Sequence, residues 1–269
     1  MSRFAATRRS ARRHSFRAWT LALIALGLSA GPASARTLAE VKALGVISMC
    51  ASPETLPYAS DKAGEDPGFQ IELGRAIAEG LALKLSIEWV VPRRRANVVN
   101  CDMQLDTVSD RAVAGARVLL SRPYQKSGVA LGVTKGAEPV QDYRDLAKDQ
   151  KVGVMVSSVA SVVLGKAGKT VTPYAFQTDM IEDMARGGMY GCAASVASLS
   201  WYVRQHPESG VRIAYAFDSA PELTWNVSVG LRKSDAALVD EVNKVLDRLL
   251  EDGTVSRIYA RYGIEHRQP

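Results

Sequence analysis

Histidine is scarce in this chain, with three residues in 269, at positions 14, 206 and 266. His206 and His266 stand near no cysteine and no second histidine, so the usual ligand spacings of a zinc site are missing. Cysteine is as rare. Cys50, Cys101 and Cys192 are the full set, and no two are spaced C-x-x-C, which excludes a zinc knuckle and a thioredoxin-type redox pair. No glycine-rich phosphate loop and no nucleophile motif occurs, so no cofactor and no metal is implied. A second long apolar run is also lacking. The first, Ala18 to Leu28, follows a start that carries Arg3, Arg8, Arg9, Arg12, Arg13 and Arg17 without an acidic residue, and it precedes Ala33-Ser34-Ala35. Basic, apolar, then small is the order of an export signal, and the run is too short to span a bilayer comfortably. The expectation is a signal peptide over 1–35, cleaved after Ala35, and a soluble product in the periplasm.

The charge excess leaves with that segment. The whole chain is +6, and with the six leader arginines removed 28 basic residues face 28 acidic ones. The basic balance therefore gives no argument for nucleic-acid or membrane binding. The 234 residues that remain suit one large domain or two lobes of ordinary size.

Periodicity supplies an α/β pattern. Leu44 to Cys50 reads as a short strand and Ser52 to Tyr58 as a proline-bearing loop. From Gly68-Phe69 a helix places Ile71, Gly74, Ala76, Ile77, Ala78 and Leu81 on one face. Leu83, Leu85, Ile87 and Trp89 alternate with polar residues as in a strand, and Cys101 to Leu105 is a further strand. Ser121 to Val133 is β-prone, Lys151 to Val156 is a buried strand, and Ser157-Ser158 cap a helix to about Lys166. Helix 178–187, strand Cys192–Val196, helix Leu199–Gln205 and strands Val211–Phe217 and Val227–Leu231 follow. A long amphipathic helix from Ser234 to Asp252 and a shorter one holding Ile258, Tyr259 and Tyr262 close the chain. Strand, helix, strand, strand in this order implies a mainly parallel sheet with helices on its faces.

Three segments resemble the type 2 periplasmic binding proteins, extracellular solute-binding family 3. Gly68-Phe69-Gln70-Ile71-Glu72-Leu73-Gly74-Arg75-Ala76-Ile77-Ala78 is similar to the family's G-F-D-V-D-L-A-x-A-I-A stretch. Ser121-Arg122-Pro123-Tyr124 is similar to its F-S-x-P-Y. Val227 to Lys233, with Asp252-Gly253-Thr254 and Ile258-Tyr259, resembles its closing stretch. The resemblance implies two α/β lobes joined by two crossover strands. Lobe 1 would take residues 36–130 and 230–269, lobe 2 would take 131–229, and hinges would lie near 128–133 and 226–230. A ligand would sit in the cleft and be buried by closure, with Glu54, Tyr58, Asp106, Thr107, Arg111, Ser157, Ser158 and Ser198 as candidate ligand-binding residues. The helix start after Ser157-Ser158 would suit an anionic group.

The amino-acid-binding pattern of the family is incomplete. Its T-x-T-x-x-R segment, whose arginine clamps an α-carboxylate, is here Asp106-Thr107-Val108-Ser109-Asp110-Arg111. The aspartate that receives the α-ammonium is replaced at Ala197 and Ser198. Burying an unpaired ammonium costs several kcal/mol, so an ordinary amino acid is a poor candidate ligand. A narrower resemblance is carried by Cys50 to Tyr58, Pro92-x-Arg94-Arg95, Cys101-Asp102 and Ser121 to Ser127. These look like the J-proteins encoded with quinoprotein methanol dehydrogenases, and the likeness implies a non-catalytic dehydrogenase accessory. The alternatives are a transport receptor for a small polar metabolite, partnered by an ABC permease, and a periplasmic dehydratase on the same fold. A monomer is expected. Only 12 positions separate Trp89 from Cys101, too few for the helix the J-proteins carry there.

Two readings stand for Cys50 and Cys101. A bridge would close a loop of about 50 residues and contribute roughly 3–4 kcal/mol, or both are buried thiols whose geometry does not meet. Cys192 reads as a buried small hydrophobe. Arg93-Arg94-Arg95 reads as a solvated surface run, and Tyr58 is the aromatic expected to face the cleft.

Overall fold

Thr37 starts the first helix by capping it. Its hydroxyl accepts from the Glu40 amide while the Glu40 carboxylate reaches back to the Thr37 amide at 2.7 Å, a reciprocal pair that satisfies two helix-end donors. The structure, a computed structural model, describes residues 36–90, 101–232 and 234–269. The expected signal peptide and the Arg93-Arg94-Arg95 run lie outside the described residues.

In chain order the elements are α1 (Leu38–Leu44), β1 (Val46–Ala51), α2 (Phe69–Gly80), β2 (Lys84–Trp89), β3 (Met103–Val108), α3 (Arg111–Ala114), β4 (Val118–Leu120), β5 (Gln125–Val133), β6 (Val152–Met155), α4 (Val159–Lys166), β7 (Val171–Tyr174), α5 (Gln177–Ala185), β8 (Gly191–Ser195), α6 (Val196–Gln205), β9 (Arg212–Ala214), β10 (Thr224–Arg232), α7 (Ala236–Glu251) and α8 (Thr254–Arg261). The strands join in the order β2-β1-β3-β10-β5-β8-β6-β7, with β4 on β10 and β9 on β5. The α/β class and the mainly parallel flanks agree with the sequence pattern, since β1 pairs in parallel with β2 and β3, and β6 with β7 and β8.

The two nine-residue strands β5 and β10 are the centre of the design. They pair antiparallel over Gln125–Gly128 and Thr224–Val227. Beyond that stretch β5 continues from Val129 into β8 and β9, whereas β10 continues into β3 and β4. Each side has its own core. On one, Met49, Leu73, Ile77 and Met103 pack with Leu246 of α7, Tyr259 of α8 and Tyr262 just after it. On the other, Leu131, Val154 and Phe217 fill one face of the strands, while Ala130, Met180, Met184 and Leu199 fill the opposite face. Alternation of neighbours such as Ala130 and Leu131 between two cores is what a strand covered on both faces requires.

α2 is amphipathic as expected and buries Phe69, Ile71, Leu73, Gly74, Ile77 and Ala78. Gly68 before it has φ +93, and a Cβ there would stand 2.3 Å from the Tyr58 carbonyl oxygen, so only glycine lets the preceding loop close onto the helix. α6 begins at Val196 rather than at Leu199, because Ser195 supplies an N-cap three residues earlier. The strand expected over Val211–Phe217 shortens to Arg212–Ala214 before a turn.

After α8 the chain does not stop at the first core but lies along β5. The Lys126 amide donates to the Arg267 carbonyl at 2.7 Å, and the Arg267 amide donates to Gln125 Oε1 at 3.0 Å. His266 places Nε2 2.8 Å from the Tyr124 carbonyl and Nδ1 2.8 Å from Ser256 Oγ. The carbonyl can only accept, so Nε2 carries a hydrogen. Tyr215 donates to Glu265 at 3.0 Å, and the Arg267 guanidinium lies 4.0 Å over the Tyr215 ring while pairing with Asp218.

Candidate functional site

The site is built at the carboxyl ends of the parallel strands, where open α/β sheets hold their ligands. β1 ends in Cys50-Ala51 and gives way to a loop held by its own backbone: Thr55 N donates to Ala59 O at 2.8 Å and Tyr58 N to Thr55 O at 2.8 Å. The start of α2 pins the same loop, with Phe69 N on Pro57 O at 2.9 Å and Gln70 N on Tyr58 O at 3.0 Å. The Leu56–Pro57 bond within it is cis. The Tyr58 ring packs on Phe69, centroids 5.2 Å apart, and its hydroxyl is directed at the end of β8. There it donates to Ser195 Oγ at 3.1 Å. Ser195 donates to Ser198 Oγ at 2.8 Å, and Gln177 Nε2 donates to the same oxygen at 2.7 Å. Burial raises the Tyr58 phenol above its ordinary value, so it stays protonated and serves as a donor.

Beside Tyr58 opens a cavity of about 400 Å³ lined by Cys50, Ala51, Ser52, Thr55, Tyr58, Gln70, Val90, Gln104, Leu105 and Arg232. Sheet register explains how residues so far apart meet. Cys50 and Gln104 are Cα partners on β1 and β3. Gln104 pairs with Gly230 on β10, and Arg232, two residues on, donates its amide to the Asp102 carbonyl at 3.2 Å. Cys50, Gln104 and Arg232 thus share one face of three adjacent strands. A second cavity of about 300 Å³ lies between Leu56 and the α5–α6 pair, with Gln177, Ser198, Trp201 and His206 in its wall.

Beneath the first cavity, Cys50 and Cys101 are joined by a disulfide with Cα atoms 5.5 Å apart. Asp102 next to it is buried and accepts from Ser48 N and Ser48 Oγ, both at 2.7 Å, and from Arg36 Nε at 2.9 Å. Burial alone would raise its pKa, but Arg36 and Ser48 together outweigh that and hold the carboxyl below the usual range. Cys192 is a buried free thiol, pushed up to about 12 by burial, which is the inert packing role expected of it.

The sequence candidates separate on inspection. Tyr58 and Ser198 are brought together through Ser195. Asp106 has φ +52, and its left-handed backbone coincides with a register shift on β10 between Ser228 and Gly230. The carboxylate consequently accepts from Gln70 Nε2 at 2.7 Å and from the Tyr124 hydroxyl at 2.8 Å, with the Tyr259 hydroxyl 3.5 Å away. It lines a neighbouring cavity with Thr107, Gln104 and Arg232 rather than the one beside Tyr58. Burial raises its pKa against those hydrogen bonds. Thr107 donates to the Gln104 carbonyl at 3.2 Å. Glu54 projects to solvent and meets Lys62 at 3.6 Å, because its positive φ of 51 turns it out of the loop. Arg111 is exposed at the start of α3, a helix of 4 residues that buries nothing. Ser157 is exposed with φ +59, while Ser158 is spent on capping α4 through the Ser161 amide at 3.2 Å. Sequence reasoning passed over Gln70, Gln104, Gln177, Ser195 and Arg232. One signal was available, since Gln70 stands where the family segment carries aspartate.

The sequence profile of the bacterial extracellular solute-binding proteins, family 3, matches residues 47–265. The chain belongs to that family. Among its relatives, the lysine/arginine/ornithine-binding periplasmic protein of Escherichia coli is 26% identical over 253 residues, which cover 88% of this chain and 93% of the relative. Enzymes occur too: a membrane-bound lytic murein transglycosylase F of Pseudomonas fluorescens is 25% identical over 241 residues, 84% of this family 3 chain but 48% of that protein. Two solved structures share the fold. The L-cystine solute receptor of Neisseria gonorrhoeae, unliganded and open, superposes with a TM-score of 0.72 at 18% identity, covering 86% of this chain and 99% of the receptor. MxaJ from Methlophaga aminisulfidivorans gives 0.67 at 17%, covering 82% and 100%. No helix among the described residues is long and apolar enough to cross a membrane.

Proposed function

We propose that this family 3 protein is the non-catalytic, periplasmic receptor of an ABC importer for a small polar solute, captured in the cavity beside Tyr58. Lobe 1 comprises residues 36–130 and 230–269, lobe 2 comprises 131–229, and the 125–128 and 224–227 pairing is the hinge. The observation that carries the reading is the Tyr58–Ser195 hydrogen bond at 3.1 Å. It joins two separately cored halves through polar side chains, and contacts of that kind are readily exchanged for a ligand's. The names of the binding-protein relatives support it. Binding rather than catalysis is favoured because the described lining of the cavity includes neither a histidine nor a carboxylate pair.

The accessory role implied by the J-protein likeness is the second reading, favoured by the Cys50–Cys101 bridge beneath the loop that carries that likeness. Affinity capture from native periplasm separates the two. A small molecule released on denaturation, and retention of the protein by its permease, is the expected result. Recovery of a quinoprotein subunit with no small molecule overturns the receptor reading.

A further inference from the structure

Two helix faces meet at the second cavity, the one of about 300 Å³. On α5, Thr178, Ile181 and Glu182 stand at i, i+3 and i+4. On α6, Ser198, Trp201, Tyr202 and Gln205 stand at i, i+3, i+4 and i+7, so each set lies on one side of its helix. Leu56 and His206 complete the lining, and no residue of it also lines the cavity beside Tyr58. Its volume is at the lower end of the roughly 300–1,000 Å³ common to small-molecule pockets. The Trp201 ring packs on Tyr262 with centroids 5.8 Å apart, and Tyr202 lies 4.6 Å from the His206 ring. The described lining holds neither lysine nor arginine, and its carboxylate is Glu182. Arg186 pairs with Glu182 at 3.3 Å but also with Asp183 at 3.0 Å, so two carboxylates share one guanidinium and the rim keeps a negative charge. Burial, and then the charge of Glu182, raise the Tyr202 phenol, so the carboxylate is felt along this wall. The negative end of the α6 dipole adds to the same field beside Gln205 and His206.

We propose that this cavity is a second binding site, for a small alkylated ammonium ion with Trp201 and Tyr202 as its walls. The proposal does not rest on the receptor reading. A cation is attracted to the negative face of an aromatic ring, most strongly to that of tryptophan. Methyl groups on the nitrogen make the same ion compatible with Leu56 and Ile181, and they ask for no hydrogen-bond acceptor. A primary ammonium brings three donors that need acceptors once enclosed, and Ser198 Oγ already accepts from Gln177 and Ser195. An anion would meet Glu182 with no basic lysine or arginine in the lining to offset it. Glu182 acts through its field rather than by direct grip: its ion pair with Arg186 is open to solvent on both sides, and such pairs are weak.

Calorimetric titration of the purified full-length protein with choline tests this, beside its uncharged isostere in which a quaternary carbon replaces the nitrogen. The expected result is saturable binding of choline, about tenfold tighter than the isostere. Trp201→Leu loses about tenfold in affinity, Trp201→Phe retains part of it, and Glu182→Gln weakens it. Phe176→Leu, which changes an exposed aromatic outside the lining, leaves it unaltered. Choline also shifts the tryptophan fluorescence of the wild type and not that of Trp201→Phe. Circular dichroism melting shows which variants fold; where Trp201→Leu does not, Tyr202→Leu carries the same test. An isostere bound as tightly as choline, choline bound equally by the folded leucine variant, or no saturable binding of choline at all overturns the proposal. The receptor reading, tested by affinity capture, is untouched by any of these outcomes.

Discussion

Asp106 sits where water is scarce, enclosed between Gln70, Tyr124 and Tyr259. Its folded pKa is raised, so the proton is bound more tightly in the native state. The sign follows by linkage: the full contribution to stability is present below the ordinary aspartate range and is lost as pH rises through the folded value. Asp106→Asn should remove this slope. Asparagine tolerates the left-handed backbone as well as aspartate does, and a flipped Gln70 amide can accept from its side chain. Melting temperatures measured from pH 4 to 7 should fall with pH more in the wild type than in the variant; parallel curves would count against the assignment. Cys192 gives a second measurement. With its thiol pushed up to about 12 and buried, it should resist a maleimide in native buffer and react on denaturation. The Cys192 role was legible in the sequence, where it reads as a buried small hydrophobe, but the Asp106 surroundings were not, since Asp106 reads there as a cleft residue. A non-glycine residue at positive φ leaves no compositional mark, and that one dihedral decides which way the carboxylate points.

Among the elements, long amphipathic helices and the buried strands were readable, because α2 and α7 repeat apolar residues at helical spacing over three turns or more. Short pieces escaped. β7 contains Pro173 and pairs with β6 at the sheet edge, where a missing amide is tolerated. β4 spans three residues, too few to show alternation. Arg232 and Gln104 were out of reach for a related reason, since their meeting depends on the pairing of β3 with β10, more than a hundred positions apart. The segment after α8 belongs to the same class. It touches Tyr124, just before β5, and Gln125 and Lys126 on it, and the far side through Tyr215 and Asp218, so it straps the crossing strands. Ending the chain at Ile264 should lower the melting temperature and enlarge the radius of gyration in X-ray scattering. A change in the first without the second would mean that the tail stabilises one half and does not restrain their opening.

At the scale of the whole molecule, the Cys50–Cys101 bridge closes 51 residues that contain the Tyr58 loop, α2 and β2. A loop of that length removes unfolded-state entropy equivalent to about 4 kcal/mol in the chain-entropy picture. Reductant should therefore lower the denaturation midpoint with little change in the native circular dichroism spectrum. The fold class and family were visible from dispersed segments, because two α/β units joined by a pair of crossing strands impose order and spacing along the whole sequence. The bridge itself could be framed but not decided there, since pairing turns on the distance between β1 and the start of β3. One consequence concerns synthesis. Val41, Ile47 and Met49 share a core with Val255, Ile258 and Tyr262, so stretches made far apart in time complete the same interior. Until the final helix emerges, that half has no finished interior to collapse around. That half of a nascent chain would stay pliable and would lock only once α8 has been made.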